Sequence, residues 1–500
     1  MTDAITTLRE LDKKINYYGE AISLMYWDLR THAPKNSVKA RSQSIGLLST
    51  EQFKLSTSDE MGTLLESCSE EQTFAKLSEM DQKLVKMLKK QYDRSKKIPT
   101  EMYQKFVELT TTAESVWEDA KGDADFASFQ PYLEEIVEYN KKFAEIWGYE
   151  DNPYNALIED YETGMTVETL DRVFAQVKER IVPLVAKVRE AEQPDTSFLK
   201  QPLDIEQQKK LGEFVLKEIG YDFQSGRIDE TVHPFMIDIN HGDIRVTTAY
   251  KENDFMFSFG STAHEGGHAL YEQNIAEKLA GTSLCSGTSM GIHESQSRFW
   301  ENQIGLSYEF WEKYYSKLKE FFPGKFDDVA LDDFYAAINQ AAPNLIRIEA
   351  DELTYNLHIM IRYELEKSLI SGELKVADLP QAWNKKYEEY LGITPSHDGE
   401  GVLQDVHWSG GSFGYFPTYS LGNMYAAQIT HVMKQEMPAY EQHIREGNFS
   451  PIKAWLTDKV YRHGKMLTPN ELIQDIAGEE LNPQYLIEYM EEKFTKIYNF

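Results

Sequence analysis

Met236-Ile-Asp-Ile239, Asn240-His-Gly-Asp243 and Ile244-Arg-Val-Thr-Thr-Ala-Tyr250 read as a short β-hairpin, rich in branched residues and closed by a glycine-containing turn. Shortly after it comes His264-Glu-Gly-Gly-His268, within a helical pattern that begins near Ser261. Outward from this pair the chain reads as helix. Upstream, Leu8, Leu11, Ile15, Tyr18, Ile22 and Met25 fall at alternating steps of three and four, one stripe of an amphipathic helix. Similar spacing recurs over 79–95, 102–120, 130–148, 167–192 and 205–219. Downstream it marks 261–279, 291–318, 328–341, 343–370, 378–391 and 421–445. Gly399 to Gly414 is too long for a tight connector and is a candidate functional loop. No Pro/Gly/Ser tract divides the chain and no solenoid period repeats. Residues 1–500 therefore read as one continuous mainly α domain, with a helical part at 1–220 and a part at 221–500 carrying the chemistry.

The chain has 500 residues, 41 % of them hydrophobic and 27 % charged, which excludes disorder; 29 Gly and 17 Pro exclude collagen-like sequence. Its net charge of −30 repels phosphate backbones and anionic bilayers, so neither nucleic acid nor membrane is expected as a partner. The basic run from Lys83 to Lys97 interleaves with Leu84, Val85, Leu88 and Tyr92 and reads as a solvated helix face. Only two cysteines occur, Cys68 and Cys285, too few for a disulfide framework. Asp3, Arg9 and Glu10 stand where a signal peptide would be apolar, and no run of 18 apolar residues is present. A cytoplasmic location is expected.

HExxH places two imidazoles at i and i+4 on one helix face, where His264 and His268 can hold one tetrahedral zinc ion. Glu265, one position round the helix, can reach a metal-bound water without ligating the metal, the geometry of a general base. The competing reading makes Thr262 and Glu265 a capping box with both histidines merely packed. Gly266 and Gly267 each cost about 1 kcal/mol in a helix interior, a cost that fits something passing close to the backbone. A catalytic zinc needs a third protein ligand. Tyr271 and Asn274 exclude the metzincin pattern, and the segment Gly291-Ile-His-Glu-Ser-Gln-Ser-Arg-Phe-Trp300 offers both His293 and Glu294. Glu294 pairing with Arg298 at i+4 in solvent is the bland alternative.

Six motifs stand in order: His233-Pro-Phe235, Asp243-Ile-Arg-Val-Thr247, His264-Glu-Gly-Gly-His268, His293-Glu-Ser-Gln296, Ile346-Arg-Ile-Glu-Ala-Asp351 and Gly401-Val-Leu-Gln-Asp-Val-His-Trp408. Together they resemble the carboxypeptidase Taq family of zinc metallocarboxypeptidases. The resemblance implies a large bilobed helical saddle with a deep active-site groove and a small β-hairpin or sheet beside the zinc helix, similar to neurolysin, and commonly a homodimer. It implies one zinc per subunit on His264, His268 and Glu294, with Glu265 as the base.

The implied activity is release of single C-terminal residues from peptide substrates with broad specificity, by Glu265-assisted attack of a zinc-bound water. His407 in the Gly-rich stretch, and Tyr415 and Tyr419 close after it in sequence, are the candidate donors. Family likeness favours His407 and Tyr419 at the oxyanion and leaves Tyr415 to substrate binding. A terminal carboxylate calls for a guanidinium, for which Arg347 and Arg245 are the candidates; each has a structural ion pair as its rival reading. Asp351 is a weaker candidate to orient a zinc histidine. An exposed hairpin edge would bind substrate main chain irrespective of side chains. Two other functions compete: a zinc oligopeptidase or dipeptidase, and a non-catalytic helical binding protein.

Overall fold

The computed structural model describes residues 4–500. Its first half is helical, with long elements at Ala4–Thr31, Val38–Ser56, Glu79–Lys97, Thr100–Asp123, Phe126–Trp147, Val167–Glu190 and Ile205–Ile219. Side-chain caps start several of them: Ser78 accepts from the Asp81 amide and Thr166 from the Thr169 amide. Among the described residues no helix is long and apolar enough to cross a membrane.

The hairpin is present as β2 (Met236–Asn240) and β3 (Asp243–Thr248), with a shift in register between Asp238 and Asn240. A third strand, β1 (Ile228–Glu230), pairs parallel to β3 and makes the sheet order β1-β3-β2. Two of the sequence motifs lock this sheet. The Phe235 amide donates to Thr247 Oγ1 at 2.8 Å, and Thr247 Oγ1 donates back to the Phe235 carbonyl at 3.0 Å. Thr248 Oγ1 lies 2.7 Å from Ser261 Oγ and ties β3 to the HExxH helix.

That helix runs Phe255–Gln273, a turn and a half earlier than the pattern near Ser261 suggests, because Asp254 caps it by accepting from the Phe257 amide at 3.2 Å. Thr262 and Glu265 sit in its interior, so they form no capping box. Aromatic packing holds its first turns: Phe259 lies 5.1 Å from Trp311 and Phe255 lies 5.7 Å from Phe326, centroid to centroid. A Cβ on Gly267 would meet the Gln296 carbonyl oxygen at 2.5 Å, so the close neighbour that its glycine admits is the backbone of the next helix.

The expected continuous helix 291–318 is in fact three pieces. Met290–Arg298 is capped by Ser289, Phe299–Gly305 is a π-helical turn, and Tyr308–Phe321 restarts under a Ser307 cap. The apolar spacing runs through the π-helical turn, but the wider winding re-aims its side chains. Likewise 343–370 begins only at Glu352, with Asp351 as its cap, and 421–445 begins at Pro417 and breaks after Glu436. The basic run Lys83–Lys97 is not simply solvated. Lys83, Lys86, Lys90, Arg94 and Lys96 line a cavity of about 870 Å3, across which Lys90 meets Glu159 and Arg94 meets Asp160 at 2.8 Å.

Candidate active site

The HExxH helix and the Met290–Arg298 helix cross at Gly267, which brings His264, His268 and Glu294 together. Nε2 of each histidine lies 3.5 Å from the same oxygen, Glu294 Oε2. Ligand atoms held about 2.05 Å from a tetrahedral ion stand about 3.3 Å apart, so this donor set fits a divalent cation. The Nδ1 atoms point outward to partners. His264 Nδ1 lies 2.8 Å from Glu301 Oε2, and His268 Nδ1 lies 2.6 Å from His293 Nδ1. His293 Nε2 reaches Glu272 Oε1 at 2.8 Å, so both its ring nitrogens are engaged elsewhere, and Glu294 is the acid that completes, with His264 and His268, a group able to hold a metal ion.

Glu294 is buried, and the pairing with Arg298 is real: Arg298 Nε donates to Oε1 at 2.7 Å. Arg298 also reaches Glu301 Oε2 at 3.2 Å. Burial works to raise Glu294, but Arg298 and both histidines hold it well below the ordinary carboxylate range. Burial depresses His264, yet Glu294 and Glu301 outweigh it and bring the ring up to about 9. His268, with less carboxylate around it, is taken down to about 4 by burial. Glu265 is only 8 % exposed; burial, with Glu294 and Glu301 adding, pushes it up to about 7 against the pull of His264.

Further along, His407, Tyr415 and Tyr419 form one cluster. The Tyr419 hydroxyl lies 3.4 Å from His407 Nε2, and its ring lies 5.3 Å from that of Tyr415. Burial lowers His407 to about 4 and keeps the Tyr419 hydroxyl protonated far past neutrality. Arg347 stacks 5.1 Å from the Tyr419 centroid and donates through Nη1 to the Tyr355 hydroxyl at 3.1 Å. Tyr355 in turn carries the Arg298 guanidinium 4.5 Å from its ring centroid, so the cluster is continuous with Glu294.

Arg347 Nε donates to Asp405 Oδ1 at 2.9 Å, while Arg362 Nε takes Asp405 Oδ2 at 2.7 Å. Two buried guanidinium groups thus share one carboxylate. Arg245 stands apart from this cluster, committed to Asp243 through two 2.7 Å bonds and stacked 5.4 Å from the Trp27 centroid. Asp351 caps its own helix, accepting from the Leu353 and Thr354 amides, and the outward Nδ1 atoms of His264 and His268 meet Glu301 and His293 instead.

Sequence reasoning did not assign Glu301, Glu272, Tyr355, Arg362 or Asp405. Asp405 lies inside a quoted motif, and Arg362 falls at i+4 from His358 on a buried helix, the two signals that were available. Glu162, fully buried, was also missed. It accepts from the Gly291 amide at 2.9 Å, from Ser289 Oγ at 3.1 Å and from the Tyr425 hydroxyl at 3.0 Å, and so anchors the start of the Glu294 helix.

The model of the carboxypeptidase Taq (M32) metallopeptidases matches residues 7–494. The chain is 52 % identical over 490 residues to carboxypeptidase 1 of Bacillus subtilis, covering 98 % of this chain and 97 % of that one. It is 37 % identical over 505 residues to thermostable carboxypeptidase 1 of Thermus thermophilus, covering 99 % of each. The crystal structure of an M32 carboxypeptidase from Deinococcus radiodurans superposes with a TM-score of 0.97 at 35 % identity, over 99 % of this chain and 100 % of that one.

Proposed function

The chain belongs to the carboxypeptidase Taq (M32) family and is a metallocarboxypeptidase; from that premise we propose that it holds one zinc ion on His264, His268 and Glu294 and releases single C-terminal amino acids from peptides with broad side-chain tolerance. The observation that carries the metal assignment is the convergence of two Nε2 atoms on Glu294 Oε2, each at 3.5 Å, with both Nδ1 atoms already engaged elsewhere.

Bound there, zinc supplies Lewis acidity and acidifies a water to a pKa of about 7. Glu265 accepts the proton of the attacking water at its carboxylate and delivers it to the leaving amine. The Tyr419 hydroxyl and the neutral His407 ring donate to the oxygen that gains charge, and Tyr415 lines the same surface.

Arg347 is the anchor for the substrate α-carboxylate. Arg347, Arg362 and Asp405 together leave one surplus positive charge in a buried place, and His358 and His407 beside them are depressed by burial and add none. An incoming carboxylate neutralises that surplus. Arg245, spent on Asp243, is assigned to holding the sheet. Substrate main chain lies along the outer strand β2, which accounts for the breadth of specificity.

The low cysteine count supports a cytoplasmic setting. Family likeness supports a homodimer, which light scattering reads directly, and a single catalytic domain over 1–500. The deciding experiment incubates the enzyme with a peptide and its C-terminal amide, before and after chelation and zinc add-back, and follows products by mass spectrometry. Single amino acids from the free peptide alone, dependent on zinc, are expected. Equal cleavage of the amide, or release of dipeptides, overturns the reading in favour of an oligopeptidase or dipeptidase.

A further inference from the structure

The two histidines of the cation site are held in different ways. His264 is oriented by a carboxylate directly, Glu301, at 2.8 Å. His268 meets another imidazole, with His293 Nδ1 at 2.6 Å, and only beyond that ring does a carboxylate appear, Glu272 Oε1 at 2.8 Å from His293 Nε2. Glu272 is 3 % exposed, and its same oxygen accepts the Gly287 amide at 2.8 Å.

Two ring nitrogens at this separation accommodate one hydrogen between them. His268 must keep the lone pair of Nε2 for the cation, so its Nδ1 carries the hydrogen and donates it. His293 Nδ1 is then the acceptor, its Nε2 carries the hydrogen, and that N–H donates to Glu272. The direction of both bonds follows once the cation-facing nitrogen is named.

The surroundings hold His293 in this pose. The Tyr271 ring lies 5.2 Å from its centroid, and a Cβ added at Gly287 would fall 2.6 Å from its Cδ2. The ring cannot turn to offer another nitrogen without displacing that wall.

We propose that His293, fixed by Glu272, is a positioning residue that sets the tautomer and aim of His268 and thereby the tightness with which this site holds a divalent cation. The inference rests on His264, His268 and Glu294 being the ligands. It predicts that cation affinity depends on two residues that never touch the ion. Outer partners of ligating histidines typically contribute roughly 10- to 100-fold in metal affinity.

The test measures zinc affinity at one fixed pH by competition with a chromophoric chelator, with far-UV circular dichroism of the apoprotein as the control for folding. His293→Leu, which fills the space without an acceptor, is expected to weaken zinc binding by roughly 10- to 100-fold. His293→Gln, whose carbonyl can accept from His268 Nδ1, is expected to recover most of that loss, and Glu272→Gln to lose less than His293→Leu. Unchanged affinity in His293→Leu, or equal losses in the Leu and Gln variants, overturns the proposal. Should His293→Leu not fold, unchanged affinity in both His293→Gln and Glu272→Gln overturns it as well, while a loss in Glu272→Gln supports it. Glu294→Ala, run alongside, separates the two levels of the claim: zinc retained there refutes the ligand set itself.

Discussion

Glu294 divides its two oxygens between a permanent cation and a place for an exchangeable one: Arg298 Nε donates to Oε1 at 2.7 Å, while Oε2 faces His264 and His268 at 3.5 Å each. Arg298 thereby leaves Oε2 as the oxygen that would ligate a metal under the proposed assignment. Glu294→Ala should release the metal, with an affinity loss larger than the roughly 10- to 100-fold typical of an outer partner. Zinc content after dialysis against a weak chelator, by mass spectrometry, checks this; full occupancy would point to a different ligand.

Glu265 has the complementary character, close to the cation site but outside its ligand set. Glu265→Gln should keep its zinc and its KM while kcat falls by about 10²- to 10⁴-fold, the span of a lost general base. Normal turnover in the zinc-loaded variant would remove Glu265 from the reaction.

Arg347→Met removes the surplus guanidinium and leaves Asp405 paired with Arg362. A charge-assisted contact to substrate is worth about 1.5–3 kcal/mol, so kcat/KM on free peptides should fall roughly 10- to 100-fold while metal content is unchanged. Preference for the free carboxylate over the amide should shrink with it. Arg245→Met should leave that preference intact, and a matching loss there would make the sheet arginine the anchor.

Tyr419→Phe keeps the ring that packs on Arg347 and deletes the hydroxyl beside His407. Loss of one oxyanion donor typically costs about 10²- to 10³-fold in kcat. A fall in kcat with KM held is expected from steady-state kinetics; a change confined to KM would assign the hydroxyl to ground-state binding.

Glu366 makes stability depend on pH. It is fully buried, and burial pushes it up to about 7 although Tyr154, the Gly414 amide and Trp408 all donate to it. Its ordinary value is 4.5, so between pH 4.5 and about 7 the folded protein binds more protons there than the unfolded chain. Its contribution to stability is therefore favourable at low pH, declines as pH rises through that window, and is flat above it, a swing of about 3 kcal/mol. The thermal midpoint of Glu366→Gln should vary less between pH 5 and 7.5 than that of the wild type. Parallel curves would show that the group does not titrate there.

The helices were legible in the sequence because their apolar stripes face a common core, and the hairpin because its branched residues close on a glycine turn. Strand β1 was not, since Ile228-Asp-Glu230 has one apolar residue and gains its place only by pairing with β3. The π-helical turn at Phe299–Gly305 was hidden because the apolar rhythm continues through it. Within the site, residues whose spacing is local, such as His264, Glu265 and His268, can be read from a helix period. Glu301, Glu272 and Asp405 cannot, because each is defined by a partner that tertiary folding brings near. Asp351 illustrates the converse: a motif aspartate that looked chemical caps a helix.

Glu162 lies in the stretch that carried no recognisable signature, yet three donors from the other half of the chain end on its carboxylate. A fragment beginning after residue 220 would leave the Gly291 amide, Ser289 and Tyr425 facing an empty space at the first turn of the helix that bears Glu294. The motif-rich half is therefore no transplantable cassette: recombining it with an unrelated amino-terminal region yields a competent hydrolase only if the newcomer brings an acid to that same spot.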